Sequence, residues 1–283
     1  MSVKSQIPNL FTVGNLACGV IAIAVMFDGP RGPDKYYTIM ILFVAAMLFD
    51  FVDGFVARLL KVSSPLGKQL DSLSDMVTFG VLPGLMVYYV LSRGMIPFSI
   101  NITGEGAAPG WHTTILPWYK AALPYVGLLI PIFSCFRLAK FNLDTRKGDV
   151  FYGLPTPMNA LFFLSIFLIF GLDGTSEAFW VLPYPEAAYA EMTGGASLQW
   201  LYHPYILPFI TLTMCILMLT DYPLLAFKFK TWRFADNKFR YLLILGAVPL
   251  IVLFHYRSIP AVTVFYFAIS GVAWLVERNS KAA

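Results

Sequence analysis

Eight stretches of this 283-residue chain are apolar over a length that suits a bilayer crossing, and this property constrains the fold more than any local propensity does. A spanning α-helix needs roughly 20 predominantly apolar residues, because inside hydrocarbon every backbone polar group must be satisfied within the segment. The runs cover about residues 10–27, 36–60, 70–92, 121–139, 157–172, 204–221, 239–256 and 259–276. Only 13% of the residues are charged and 58% are hydrophobic, against the roughly 25% charged residues of an ordinary soluble domain. Most of the surface is therefore expected to face lipid. The chain reads as an all-α integral membrane protein of about eight transmembrane helices, forming one domain over residues 1–283 with no Ser/Gly linker or charge block to divide it. The first run follows only Lys4 and leads into Asp28 without a small-x-small cleavage site. It reads as a retained helix rather than a secretory signal.

The basic residues set the orientation. With the N-terminus inside, fifteen of the twenty Lys and Arg residues fall on inner segments, among them Arg58, Lys61, Lys68, Arg137, Lys140, Arg146 and Lys147. Lys and Arg accumulate on the cytoplasmic side, so both termini are expected there, in a multi-pass protein of the cell membrane. Two outer loops, residues 93–120 and 172–203, carry Trp111, Trp118, Trp180, Tyr184 and Trp200, which suit anchoring at the headgroup level.

The net charge of +4 then reflects this bias and attraction to lipid headgroups, and nucleic acid is set aside as a partner. Cys18, Cys135 and Cys215 show no CxxC spacing and read as small buried hydrophobes. His112, His203 and His255 share no ligand spacing, and none heads a His-x-Lys pattern suited to a covalent phosphohistidine. A covalent intermediate on histidine is not expected.

The segment DFVDGFVARLLKVSSPLGKQLDSLSD, residues 50–75, carries the reactive groups. Ionised carboxylates in membrane helices are costly, and a cluster of them marks function. Asp50 and Asp53 are three residues apart and Asp71 and Asp75 four apart, so each pair shares one face of its helix. Ser63, Ser64, Pro65 and Gly67 form the turn that sends the second helix back antiparallel, and the four acids converge. Such acids need cations, and oxygen ligands select Mg²⁺ or Mn²⁺, with Ca²⁺ a third hard ion of the same class. Two ions roughly 3.5 to 4 Å apart would clamp a pyrophosphate. Gly54 and Ala57 leave room for a flat base or a sugar against the helix, and Arg58 is placed to meet a phosphate. The bland alternative is that the acids only pair with Arg58, Lys61 and Lys68.

The spacing Asp50-x2-Asp53-Gly54-x2-Ala57-Arg58-x8-Gly67-x3-Asp71-x3-Asp75 resembles the signature of the CDP-alcohol phosphotransferase family at every position. The resemblance implies transfer of a substituted phosphate from a CDP-linked donor to an alcohol, with release of CMP, at a dimetal site on the cytoplasmic face. It implies that Asp50, Asp53 and Asp71 are metal ligands and that Asp75 is a ligand or the general base. It also implies that Gly54 and Ala57 line the cytidine pocket, that six helices up to about residue 221 form the family core, and that helices over about 239–276 are an addition. A homodimer is the assembly it implies.

Two further segments are similar to one branch of that family, the prokaryotic membrane-spanning phosphatidylserine synthases. IPNLFTVGN, residues 7–15, would lie near the nucleotide and bring Thr12 and Asn15 to the CDP donor. FRLAKFN, residues 136–142, with YGLPTPMNA, residues 152–160, would lie near the acceptor and bring Arg137, Lys140 and Asn142 to it. Lys140 and the segment DYPLLAFK after Thr220 depart from that branch's pattern. A guanidinium holds a carboxylate in bidentate fashion and an amide reads an ammonium or a carboxylate, which suits L-serine. The expected substrates are then CDP-diacylglycerol and L-serine, among membrane phospholipids. Glycerol 3-phosphate or an inositol phosphate is the alternative acceptor, to be met by the basic group Arg137, Lys140, Arg146 and Lys147. A cation transporter using the acids is the alternative of another class, but it predicts matching repeats and a second carboxylate cluster, which the sequence lacks.

Overall fold

The computed structural model describes residues 3–29, 32–62, 64–100, 122–143, 150–173, 198–203, 205–225 and 233–282. Arg146, Lys147, Trp111, Trp118, Trp180 and Tyr184 lie outside them. Apolar runs become helices throughout: α1 Val3–Asp28, α2 Pro33–Leu59, α3 Pro65–Asp75, α4 Leu82–Ile100, α5 Leu129–Leu143, α6 Thr156–Leu168, α7 Ile206–Leu219, α8 Phe234–Phe254 and α9 Ile259–Ala282. A π-helical turn, Met76–Val81, joins α3 to α4 without a break. Among the described residues five continuous helical runs are long and apolar enough to cross a bilayer, and the last, Asn237–Val276, takes in most of α8 and the membrane part of α9. Thr156–Leu172 and Ile206–Leu219 are shorter apolar helices. Together these correspond to the eight runs expected from the sequence.

Local chemistry sets the ends. Pro33 and Pro65 open α2 and α3 at the first helical turn, where a missing N–H costs nothing. The Ser64 hydroxyl caps α3 by accepting from the Gly67 amide at 2.9 Å, so this turn is built by its own sequence.

The core is apolar and aromatic. Ala22 and Met26 of α1, Tyr36, Ile39 and Phe43 of α2, Phe79 and Met86 around the π turn, Ile130 of α5 and Phe163 and Phe167 of α6 are fully or almost fully buried. Phe43 meets Phe79 edge-on at 5.8 Å between centroids, and Tyr36 meets Phe167 at 4.9 Å. Between α4 and the 3₁₀ turn Leu123–Leu128, glycine allows backbone contact: a Cβ on Gly84 would stand 2.9 Å from the Gly127 carbonyl oxygen. The outward face carries Leu10, Phe51, Phe136, Phe209, Leu245 and Leu253, all well exposed, as expected of a surface that meets lipid. The chain is a membrane protein. Cys215 is buried as expected, whereas Cys135 lies on the outward face of α5 and Cys18 is half-buried. In lipid an outward thiol needs no core site.

One element has no counterpart in the helical reading. Val150–Tyr152 and Pro223–Leu225 form two short antiparallel strands, β1 and β2, pairing Phe151 with Leu224. Strands of three residues leave no periodic signal to read.

Candidate active site

The turn at Ser64 sends α3 back beside α1, which packs against both α2 and α3, and brings the acids together. Asp50, Asp53 and Asp71 each offer a carboxylate oxygen, and these oxygens all lie within 4.8 Å of one another. Asp53 is buried, and Asp50, Asp71 and Asp75 are half-buried. Asp75 stands next to Asp50, within hydrogen-bond reach. The donor set is anionic and all oxygen, without sulfur or imidazole, and fits a hard divalent cation. Among the described residues no Lys or Arg is paired with any of these four carboxylates. Arg58 turns its Nε onto the Gly54 carbonyl at 3.0 Å, and Lys68 donates to the Asn142 carbonyl at 3.2 Å. Interfacial ion pairing therefore does not account for the cluster.

Helix α1 orients two of the acids. The Thr12 hydroxyl donates to Oδ2 of Asp53 at 2.7 Å, and Asn15 donates from Nδ2 to Oδ1 of Asp75 at 3.2 Å. Two hydroxyls from the acid-bearing helix bind α1 in return: Ser74 donates to the Thr12 carbonyl at 3.1 Å, and Thr78 to the Asn15 carbonyl at 3.4 Å. Oδ1 of Asn15 is buried without a hydrogen-bond partner.

A cleft of about 240 Å³ opens beside Asp53 and Asp71. Thr12, Gly54 and Ala57 line it, as do Asn9, Ser64 and Lys68, which the sequence reading did not single out. Asn9 sits inside the IPNLFTVGN segment, which is its signal in the sequence, whereas Lys68 reads there as a topogenic charge or an ion-pair partner of the acids. A Cβ on Gly54 would meet nothing within 4 Å. Glycine there keeps the cleft wide rather than admitting another helix.

The residues expected on the acceptor side stand on α5, which runs antiparallel to the acid-bearing helix. A Cβ on Gly80 would stand 3.1 Å from the Cβ of Ser134, and Asn142 donates from Nδ2 to the Ser72 hydroxyl at 2.8 Å. Buried Arg137 lies between these two anchors along α5. Its Nε donates to the Leu154 carbonyl at 3.3 Å, and its guanidinium lies 5.6 Å from the Phe141 ring centre. Lys140 is directed to Asp221 at 3.1 Å and to the Leu219 carbonyl at 3.2 Å. The structure thus gathers the four acids, Thr12, Asn15, Gly54 and Ala57. It ties Asn142 to the same helix and leaves Arg58 and Lys140 engaged elsewhere.

The sequence profile of the CDP-alcohol phosphatidyltransferase family matches residues 5–192, about two thirds of the chain. The chain belongs to the CDP-alcohol phosphatidyltransferase family. It is 32% identical over 157 residues to a CDP-diacylglycerol–serine O-phosphatidyltransferase of Bacillus subtilis, covering 54% of this chain and 70% of that protein. It is 32% identical over 158 residues to the Helicobacter pylori J99 protein of the same name, covering 54% of each. An archaetidylserine synthase of Methanothermobacter thermautotrophicus is 31% identical over 177 residues, covering 61% of this chain and 62% of that protein. The family match contains all four acids, the cleft and Arg137, and it ends before α7, the β2 strand, α8 and α9.

Proposed function

We propose that this membrane enzyme transfers the phosphatidyl group of CDP-diacylglycerol to the hydroxyl of L-serine, giving phosphatidylserine and CMP. The observation that carries the reading is the convergence of Asp50, Asp53 and Asp71, unpaired with any Lys or Arg among the described residues, beside a cleft walled by Gly54 and Ala57. The names of the relatives supply serine as the acceptor.

The residues divide the work. Asp50, Asp53 and Asp71, with Asp75 adjoining, would hold two Mg²⁺ or Mn²⁺ ions, which supply charge neutralisation at the pyrophosphate and polarise its phosphoryl oxygens. Cytidine lies in the cleft against Gly54, Ala57 and Thr12. Arg137, oriented through Leu154, receives the serine carboxylate, with Asn142 and Lys140 framing that side. Asp75, turned by Asn15, takes the proton from the serine hydroxyl. A new bond forms between the serine oxygen and the phosphorus that carries diacylglycerol. The bond from that phosphorus to the bridging oxygen breaks, and its electron pair leaves with CMP.

The whole chain is taken as one domain with the site on the cytoplasmic face and both termini on that side, because most Lys and Arg residues fall there. By resemblance to the family the working unit is a homodimer, which the elution volume of the detergent-solubilised protein tests.

Purified protein is to be given CDP-diacylglycerol and a panel of L-serine, glycerol 3-phosphate and inositol phosphate, with CMP release as the signal. Serine-dependent release that needs a divalent cation is expected. Release driven only by a phosphate-bearing alcohol would overturn serine, and ion flux without CMP release would overturn the enzyme.

A further inference from the structure

Helices α8 and α9 lie beyond the family-matched residues, yet α9 connects to the acceptor side of the site through hydrogen bonds linked by the backbone of β2 and of Gly153–Leu154. Strand β2 pairs with β1 along one edge. At its other edge, Leu225 donates its amide to the Ser270 hydroxyl at 3.2 Å, and its carbonyl accepts from the Tyr266 hydroxyl at 2.8 Å. The Tyr222 hydroxyl donates to the Phe267 carbonyl at 3.0 Å, over Gly271, where any Cβ would run into that hydroxyl. Leu224, Leu243 and Tyr266 form a small apolar cluster of their own, apart from the main core. A ribbon of two three-residue strands does not stand alone. Here α9 satisfies the open edge and anchors the ribbon.

The segment so held is the one that positions the acceptor residues. The Tyr222 carbonyl accepts from the Gly153 amide at 2.9 Å, and the Leu217 carbonyl accepts from the Leu154 amide at 3.0 Å. Leu154 in turn accepts from Nε of Arg137, while Leu219 and Asp221 hold Lys140. Gly153 has φ +73°, and a Cβ there would stand 2.6 Å from the Thr220 carbonyl oxygen and 2.8 Å from that of Met218. The crossing of these two segments is therefore fixed at backbone level, with little slack between α9 and the guanidinium.

We propose that Ser270 and Tyr266 of α9 are positioning residues for the acceptor subsite, acting through β2 and Leu154 on Arg137. This rests on the reading of Arg137 as the acceptor's carboxylate partner. It makes α9 part of how the enzyme recognises its alcohol, while donor and metal are served by α1, α2 and α3.

The test uses the full chain in detergent, with Ser270→Ala, Tyr266→Phe, the double variant and Ser270→Thr. The acceptor measured is whichever alcohol the wild-type protein uses, so a failure of serine shows in the wild type and leaves the comparison intact. In the double variant the acceptor KM is expected to rise about ten-fold, with kcat and the CDP-diacylglycerol KM within about two-fold of wild type. Ser270→Thr, which keeps the hydroxyl, is expected to restore the acceptor KM. An unchanged acceptor KM in a folded, active double variant would overturn the proposal. So would a uniform loss of kcat and both KM values in step with a lower melting temperature, which would make α9 a structural brace alone.

Discussion

Asn15 and Asp75, sixty residues apart in the chain, meet through a 3.2 Å hydrogen bond that fixes the acid's orientation from a neighbouring helix. The amide cannot be replaced by an apolar group without releasing the carboxylate to rotate. Asn15→Leu is expected to lower kcat about 10- to 100-fold, the usual effect of losing an orienting partner, with the donor KM little changed. Steady-state CMP release checks it. An unchanged kcat would mean that Asp75 is held by its position alone.

If Asp75 accepts the proton of the alcohol, Asp75→Asn is expected to cost about 10² to 10⁴-fold in kcat while CDP-diacylglycerol still binds. Asn15 acts through Asp75, so the Asn15→Leu, Asp75→Asn double variant is expected to be no slower than Asp75→Asn. Additive losses would assign Asn15 a separate role.

Asp50, Asp53 and Asp71 converge from two helices, and each lost carboxylate leaves the cation site short of charge and of a ligand. Asp50→Asn, Asp53→Asn and Asp71→Asn are each expected to abolish CMP release and to weaken Mn²⁺ binding followed by electron spin resonance. Full activity of any of them in chelator would remove the metal from the mechanism.

Glycines here separate into two kinds by what a side chain would meet. Gly54 faces open space, so Gly54→Ala is expected to leave the melting temperature unchanged, and Ala57→Leu to raise the CDP-diacylglycerol KM far more than the serine KM. Gly153 has positive φ and carbonyl oxygens at the place of a Cβ, so Gly153→Ala is expected to cost roughly 1 to 2 kcal/mol from the backbone alone. A thermal-shift assay on the solubilised protein distinguishes the two.

The transmembrane helices and the acid cluster were legible because each is written locally. Long apolar runs declare their own length, and Asp50, Asp53, Asp71 and Asp75 stand at offsets that helical periodicity turns directly into geometry. What was illegible is tertiary. Nothing in the neighbourhood of Lys140 signals that Asp221 will claim it, and nothing around Asn15 signals its bond to Asp75. The β1–β2 ribbon spans only three residues a side, too few for a period-2 pattern. Its one local hint is Gly153, in the sequence YGLP, whose left-handed backbone the amino-acid type permits but does not announce.

The π turn Met76–Val81 follows directly on Asp75. A π turn holds one residue more than the surrounding helix, which advances the phase of everything after it by about 100°. Upstream, Asp71 and Asp75 look toward α1 and α2. Within and beyond the turn, Phe79, Leu82 and Met86 look into the apolar interior, although both sets ride one unbroken rod. The chemical end and the lipid-spanning end of this rod are therefore set at independent angles, like two keys cut on one shaft. Removing a single residue between 76 and 81 would leave the length of the span almost untouched and swing the carboxylates out of alignment with Asp50 and Asp53.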